Sequence, residues 1–253
     1  MHVVILETPA DVGDYAAREI LRGVDAGQIR NLGVATGSSP LSLYKVLERH
    51  RSSRLAALHA FALDEYVGLA PEHPESYHAV IHREVTQRLG LDPENVHVPD
   101  GSATDLAAAC AAFEAAIRAA GGIDLQILGI GRNGHIGFNE PTSSLASRTR
   151  VKTLMSATRR DNARFFSDAS CVPTHCVTQG LGTILEARRV ILVAQGAAKA
   201  AAVASAVEGP LAGICPASVL QLHPDAVFVL DREAARDLTL QEYYRNVQEH
   251  GSP

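Results

Sequence analysis

The sequence predicts an α/β protein with an open, mostly parallel sheet and helices on both of its faces, a Rossmann-like three-layer arrangement. Three observations predict it. Short apolar runs alternate with longer stretches of helical periodicity, and a strand that recurs after each helix runs parallel to the one before. Each run breaks abruptly into polar or glycine-rich residues, as strands covered on both faces do where they leave the core. Nearly half of the 253 residues are apolar (46%), enough for a sizeable core.

In chain order, the first run is residues 3–6, after which Asp11 opens a stretch with Val12, Ala16, Ile20 and Leu21 near helical spacing. The second, 32–35, leads into Thr36-Gly37-Ser38-Ser39-Pro40 and a helix presenting Leu43, Tyr44, Val46 and Leu47. A third, 61–63, ends in Asp64-Glu65, and His73-Pro74-Glu75-Ser76-Tyr77 then suits a loop entering a helix with Val80, Ile81 and Val85. Thr104 is placed to cap a helix carrying Leu106, Cys110, Phe113 and Ile117, stopped by Gly121-Gly122. Cys110 lies in that apolar stripe and reads as core. The fourth run, 123–130, breaks into glycines at 129, 131, 134 and 137 with Asn133, His135, Asn139 and Glu140 among them. Residues 141–166 are polar and without strong periodicity, which suits a loop, a lid within 141–185 or a long insertion. The fifth run, 190–194, precedes Gln195-Gly196 and an alanine-rich helix over 197–207; the sixth is 226–230. No linker or repeat divides residues 1–253, which read as one domain.

Composition excludes several classes. Lys plus Arg number 23 against 28 Asp plus Glu, with no basic run, which argues against a nucleic-acid surface. No stretch approaches the roughly 20 apolar residues of a membrane span, and the first apolar run is too short for a signal peptide, so a cytoplasmic location is expected. Cys110, Cys171, Cys176 and Cys215 form no Cys-x-x-Cys pair and read as reduced thiols, without a metal site.

The polar strand ends carry the chemistry. Thr36, Gly37, Ser38 and Ser39 offer backbone amides and hydroxyls at a helix start, which suits phosphate, although an ordinary capped helix accounts for the same residues. Arg164 and Lys199 are unremarkable alone but are cations that would accompany such a cradle. Asp64 and Glu65 place two carboxylates at a strand end, where burial and repulsion raise a pKa toward that of a general base; strand alternation sends only one toward a pocket. His135, flanked by glycines, has Glu140 and Asn133 near enough to orient its ring for acid–base work. The spacing Gly129-x-Gly131-x-x-Gly134 lacks the helix a dinucleotide fingerprint requires, and no nucleophile elbow or P-loop is present. With no metal or nucleotide signature beside them, these residues point to proton transfer on a phosphorylated small molecule.

At these motifs the chain resembles the glucosamine-6-phosphate deaminase family. The resemblance runs through ATGSSPLSLYKVL, LDEYVGLAPEHPESYH, GIGRNGHIGFNEPTSSLASRTRVKTL, ARFF, QGAAKAAAVASAVEGP and SVLQLHP, nearly the whole length in the correct order. It implies conversion of glucosamine 6-phosphate and water to fructose 6-phosphate and ammonia, without a cofactor. It implies that Asp64 moves a proton from C2 to C1, that His135 opens the sugar ring with Glu140 and Asn133 positioning it, and that Thr36–Ser39, Arg164 and Lys199 hold the phosphate. Some members carry Asp where this chain has Asn133, and losing that charge leaves His135 less readily protonated. Some are hexamers activated by N-acetylglucosamine 6-phosphate between subunits; the matching positions here are Ser143, Arg150, Lys152, Thr153 and Tyr243, so a homo-oligomer is an expectation of the resemblance. Two rivals are a 6-phosphogluconolactonase of the same fold, which releases no ammonia, and a non-catalytic sugar-phosphate sensor.

Overall fold

The computed structural model describes residues 1–251. All six apolar runs become strands of one seven-stranded sheet: β1 (His2–Leu6), β2 (Asn31–Val34), β3 (His59–Ala62), β6 (Leu125–Leu128), β9 (Arg189–Ala194) and β10 (Ala226–Asp231), joined by the two-residue β5 (Val96–His97). Every pairing is parallel, in the order β1-β10-β9-β6-β2-β3-β5. The central strands β2 and β6 are buried at every position, which is why they read as continuous apolar runs rather than alternating ones.

Helices form where periodicity and end chemistry agree. Thr8 caps the helix Pro9–Asp25 through the Asp11 amide while the Asp11 side chain answers the Thr8 amide, and Val12, Ala16, Ile20 and Val24 are buried against the sheet core. Helix Leu106–Ala119 is capped one residue after the expected Thr104, by Asp105, whose carboxylate accepts the Ala108 amide at 2.9 Å.

Strand order sets the architecture. From β1 the chain steps to β2, β3 and β5 in one direction along the sheet, then returns through β6, β9 and β10 in the other. Right-handed crossovers place the helices of the two series on opposite faces. The order therefore reverses between β2 and β6, and the crevice at their carboxyl ends is where open α/β sheets bind ligands. The seam is narrow: only Leu32–Leu125 and Gly33–Gln126 are paired. It closes because Gly33 has no side chain, since a Cβ there would lie 2.1 Å from the Gln126 Oε1.

The stretch 141–185 carries regular structure. It holds β7 (Arg150–Thr153) and β8 (His175–Thr178), which form an antiparallel sheet with β4 (Asp64–Tyr66), together with helices Ser156–Asn162 and Leu181–Leu185. Tyr66, Phe138, Leu154, Val172 and Cys176 make a second small core beneath this sheet. Strand β7 (Arg-Val-Lys-Thr) escapes a reading by periodicity because it has no fully buried face, and β8 (His-Cys-Val-Thr) because it offers only one large apolar residue.

Candidate active site

The carboxyl ends of β9, β6, β2 and β3, four neighbours in the sheet, open onto a cleft of about 600 Å³. After β2, residues Thr36, Gly37, Ser38 and Ser39 all line it. The helix Leu41–Arg49 begins at Pro40 with no side-chain cap, so these hydroxyls are not helix caps. After β9, Gln195 donates to the Ser39 carbonyl (3.2 Å) and to the Ser42 hydroxyl (3.1 Å), tying this turn to the first. The Gly196 amide is held by both oxygens of buried Asp231 at 3.0 Å. That turn delivers Lys199, half-buried, with Nζ 2.6 Å from the Ile130 carbonyl. Burial, then the nearby Arg164 charge, pushes the lysine pKa down, as expected where cations converge without their anion. Arg164 lines the same end, exposed, its guanidinium 4.7 Å from the Phe165 ring centre.

One residue separates β3 from β4, and Asp64 and Glu65 point to opposite sides, as alternation requires. Glu65 turns inward and accepts the amides of Tyr66 (2.7 Å), Tyr77 (2.8 Å) and His78 (2.8 Å), capping the helix Tyr77–Ile81. Asp64 faces the cleft, 5% exposed, and its carboxylate makes no hydrogen bond among the described residues. Burial first, and the Glu65 charge second, raise its pKa well above the usual carboxylate value.

After β6 the chain turns through the glycine loop without forming a helix. The His135 ring lies over Gly131, where a Cβ would sit 2.2 Å from the imidazole Cε1; only glycine leaves room for it. Glu140, 2% exposed, has Oε2 2.8 Å from the donating Asn133 Nδ2 and 3.7 Å from His135 Nδ1, while its Oε1 accepts the Met155 amide. Asn133 Oδ1 accepts the His135 amide at 3.2 Å, so the Asn133 side chain bridges the backbone and the carboxylate that flank the ring. His135 Nδ1 is buried without a hydrogen-bond partner. Burial lowers the His135 pKa, with Lys199 adding to the effect and Glu140 opposing it, so the imidazole is neutral near pH 7. Gly137, at φ +53°, brings the loop beside Asp64: a Cβ there would meet Asp64 Oδ2 at 3.5 Å.

Thus Asp64, His135, Thr36–Ser39, Arg164 and Lys199 share one cleft, with Glu140 and Asn133 directly behind His135. The other five positions sit elsewhere. Ser143 Oγ donates to the Glu140 carbonyl (2.7 Å) and Arg150 to Asn139 Oδ1 (2.9 Å), while Lys152 and Thr153 follow on β7. Tyr243 is exposed on the helix Gln241–His250, which packs on β1 at the opposite edge of the sheet from β5. Tyr77, Arg132 and Gln195 line the cleft although nothing singled them out from the sequence. All three lie within or beside recognisable motifs, and the only available signal was a polar residue next to a glycine turn or helix cap. Among the described residues no cluster of three or more His, Cys, Asp or Glu side chains could hold a metal ion, and no helix is long and apolar enough to cross a membrane.

The model of a family described as glucosamine-6-phosphate isomerases/6-phosphogluconolactonase matches residues 7–229. A glucosamine-6-phosphate deaminase of Cutibacterium acnes is 56% identical over 248 residues, covering 97% of this chain and 95% of the relative. One of Streptomyces coelicolor is 52% identical, with 99% and 97% covered. Among solved structures, one described as a monomeric glucosamine-6-phosphate deaminase superposes with a TM-score of 0.90 at 39% identity, covering 94% of this chain and all of that one. A 6-phosphogluconolactonase from Trypanosoma cruzi reaches 0.74 at 21% identity, with 94% and 97% covered, and so shares the fold.

Proposed function

The chain belongs to the family of glucosamine-6-phosphate isomerases and 6-phosphogluconolactonases, and from that premise we propose that it is a glucosamine-6-phosphate deaminase, converting glucosamine 6-phosphate and water to fructose 6-phosphate and ammonia. One observation carries the reading: a neutral imidazole on the glycine loop after β6 and a carboxylate of raised pKa at the start of β4 face the same cleft, each suited to a different proton transfer.

Neutral His135 relays the proton from the anomeric hydroxyl to the ring oxygen as the C1–O5 bond breaks and the C1 carbonyl forms. Glu140, behind Nδ1, stabilises the imidazolium that forms transiently, and the Asn133 amide keeps that carboxylate in place. Asp64 then takes the C2 proton; the electron pair forms a C1–C2 double bond and O1 takes up a proton. Returning the proton to C1 draws the nitrogen lone pair into a C2–N double bond, giving a ketimine. Water adds at C2 and ammonia leaves, completing the ketose. The phosphate is held by Thr36–Ser39, Arg164 and Lys199, which anchor the substrate while its other end reacts. No step calls for a cofactor, and the substrate is one of the cytoplasm.

The relative described as monomeric supports a chain that works without the hexamer interface, and Ser143 and Arg150 bond within their own chain. Turnover is then hyperbolic in substrate and indifferent to N-acetylglucosamine 6-phosphate; a sigmoidal curve straightened by that sugar would restore the oligomeric switch. Ammonia release from glucosamine 6-phosphate, measured beside hydrolysis of 6-phosphogluconolactone, tests the assignment. Lactone hydrolysis without ammonia release would make the chain a lactonase, and binding without turnover would make it a sensor.

A further inference from the structure

Arg132 stands between Gly131 and Asn133 in the glycine loop and lines the cleft at the end where Lys199 and Arg164 converge. Its Nη1 lies 3.8 Å from Asp161 Oδ1, on the helix Ser156–Asn162, and both side chains are well exposed, 64% and 45%. At that distance and exposure the pair is weakly held, as surface ion pairs are. Arg132, Arg164 and Lys199 carry three positive charges against the single Asp161 carboxylate in this corner. The excess is two positive charges, and a phosphate monoester near neutral pH carries close to two negative ones. The three charges lie close enough to act on the lysine: burial lowers its pKa most, Arg164 and Arg132 lower it further and Asp161 raises it.

We propose that Arg132 is a further phosphate-binding residue, and that Asp161 occupies its guanidinium until the substrate's phosphate takes that place. The exchange needs no bond to be made or broken covalently. A bidentate fork meets two phosphate oxygens in place of one distant carboxylate oxygen. Asp161 then acts as a competitor that lowers the affinity of the empty site for stray anions. A sugar phosphate gains the exchange and its other contacts together, whereas inorganic phosphate gains the exchange alone. This inference deepens the deaminase reading and rests on it for the identity of the sugar, but not for the anion.

The test uses the full chain, with steady-state turnover of glucosamine 6-phosphate and calorimetric titration of inorganic phosphate. Arg132→Gln is expected to raise both KM and the phosphate Kd ~10-fold, with kcat within about twofold, the loss typical of one charge-assisted contact. Arg132→Lys should recover part of it, and Asp161→Asn should lower the phosphate Kd below that of the wild type. A Kd for phosphate unchanged in Arg132→Gln overturns the proposal. So does a fall in kcat at constant KM, which would make Arg132 a support for the His135 loop. If the wild type releases no ammonia, the deaminase reading fails, while the phosphate titrations still decide the role of Arg132.

Discussion

Replacing Asp64 with Asn is expected to cut turnover by orders of magnitude and, unusually for a buried substitution, to raise stability. The carboxylate is 5% exposed, without a hydrogen bond among the described residues, and adjoins the carboxylate of Glu65. Its folded pKa is therefore raised well above 3.8. Between those two values the folded chain binds the proton more tightly than the unfolded one, so the free energy of unfolding falls as pH rises. The penalty is complete above the folded pKa and absent below 3.8. Each unit of upward shift removes about 1.4 kcal/mol, and each kcal/mol moves the melting temperature by ~2–4 °C in a chain of this size. Differential scanning fluorimetry at pH 7.5 should show Asp64→Asn melting above the wild type, with the gap closing as pH is lowered toward 4. Ammonia release should drop ~10²–10⁴-fold, the range for a lost general base, and deuterium from solvent should no longer enter C1. The wild-type acid limb should lie above the ordinary carboxylate range, since Asp64 acts only when deprotonated. A variant that turned over normally and melted below the wild type would refute the reasoning at both points.

Further outcomes follow from neighbouring residues. His135→Gln should lose ~10²-fold or more in turnover, and an open-chain substrate analogue should recover part of that; no recovery would give His135 a different role. Gly131→Ala should fold yet behave kinetically like the His135 variant, because its Cβ would occupy the imidazole's position; full activity would mean that the ring sits elsewhere. Glu65→Ala should be the stability lesion that Asp64→Asn is not, losing ~1–3 kcal/mol from stranded amides while KM changes little. A large fall in kcat with unchanged melting would instead make Glu65 part of the chemistry.

Much of this molecule was legible in its sequence, for identifiable reasons. The six strands of the large sheet that read as apolar runs are covered on both faces and had to be apolar, and those runs had to stop abruptly at their carboxyl ends because the crevice begins there. The division between Asp64 and Glu65 followed from strand alternation alone. Strands β4, β7 and β8 were hidden because a strand over a small core needs few apolar side chains, whereas β2, β3 and β6, no longer than β7 and β8, lie in the large core. The contribution of Tyr77, Arg132 and Gln195 to the cleft was hidden too, since it depends on which strands are neighbours, and β2 and β6 are separated in the chain by two other strands of the same sheet. The fit between Gly131 and the His135 ring is a matter of ångströms that no spacing rule contains.

The two-rung seam between β2 and β6 has a mechanical consequence. It divides the sheet into a block of β1, β10, β9 and β6 and a block of β2, β3 and β5, and only two residue pairs join those blocks through the ladder. Thr36–Ser39 and Asp64 ride on one block; His135 and Lys199 ride on the other. A sugar phosphate bound to all of them is a strap across this narrow joint. Its binding energy then adds directly to the resistance of that joint to opening. Amide hydrogen exchange at Leu32, Gly33 and Gln126 should slow on adding substrate or product more than exchange within either block, and uniform slowing would show that the sheet opens elsewhere.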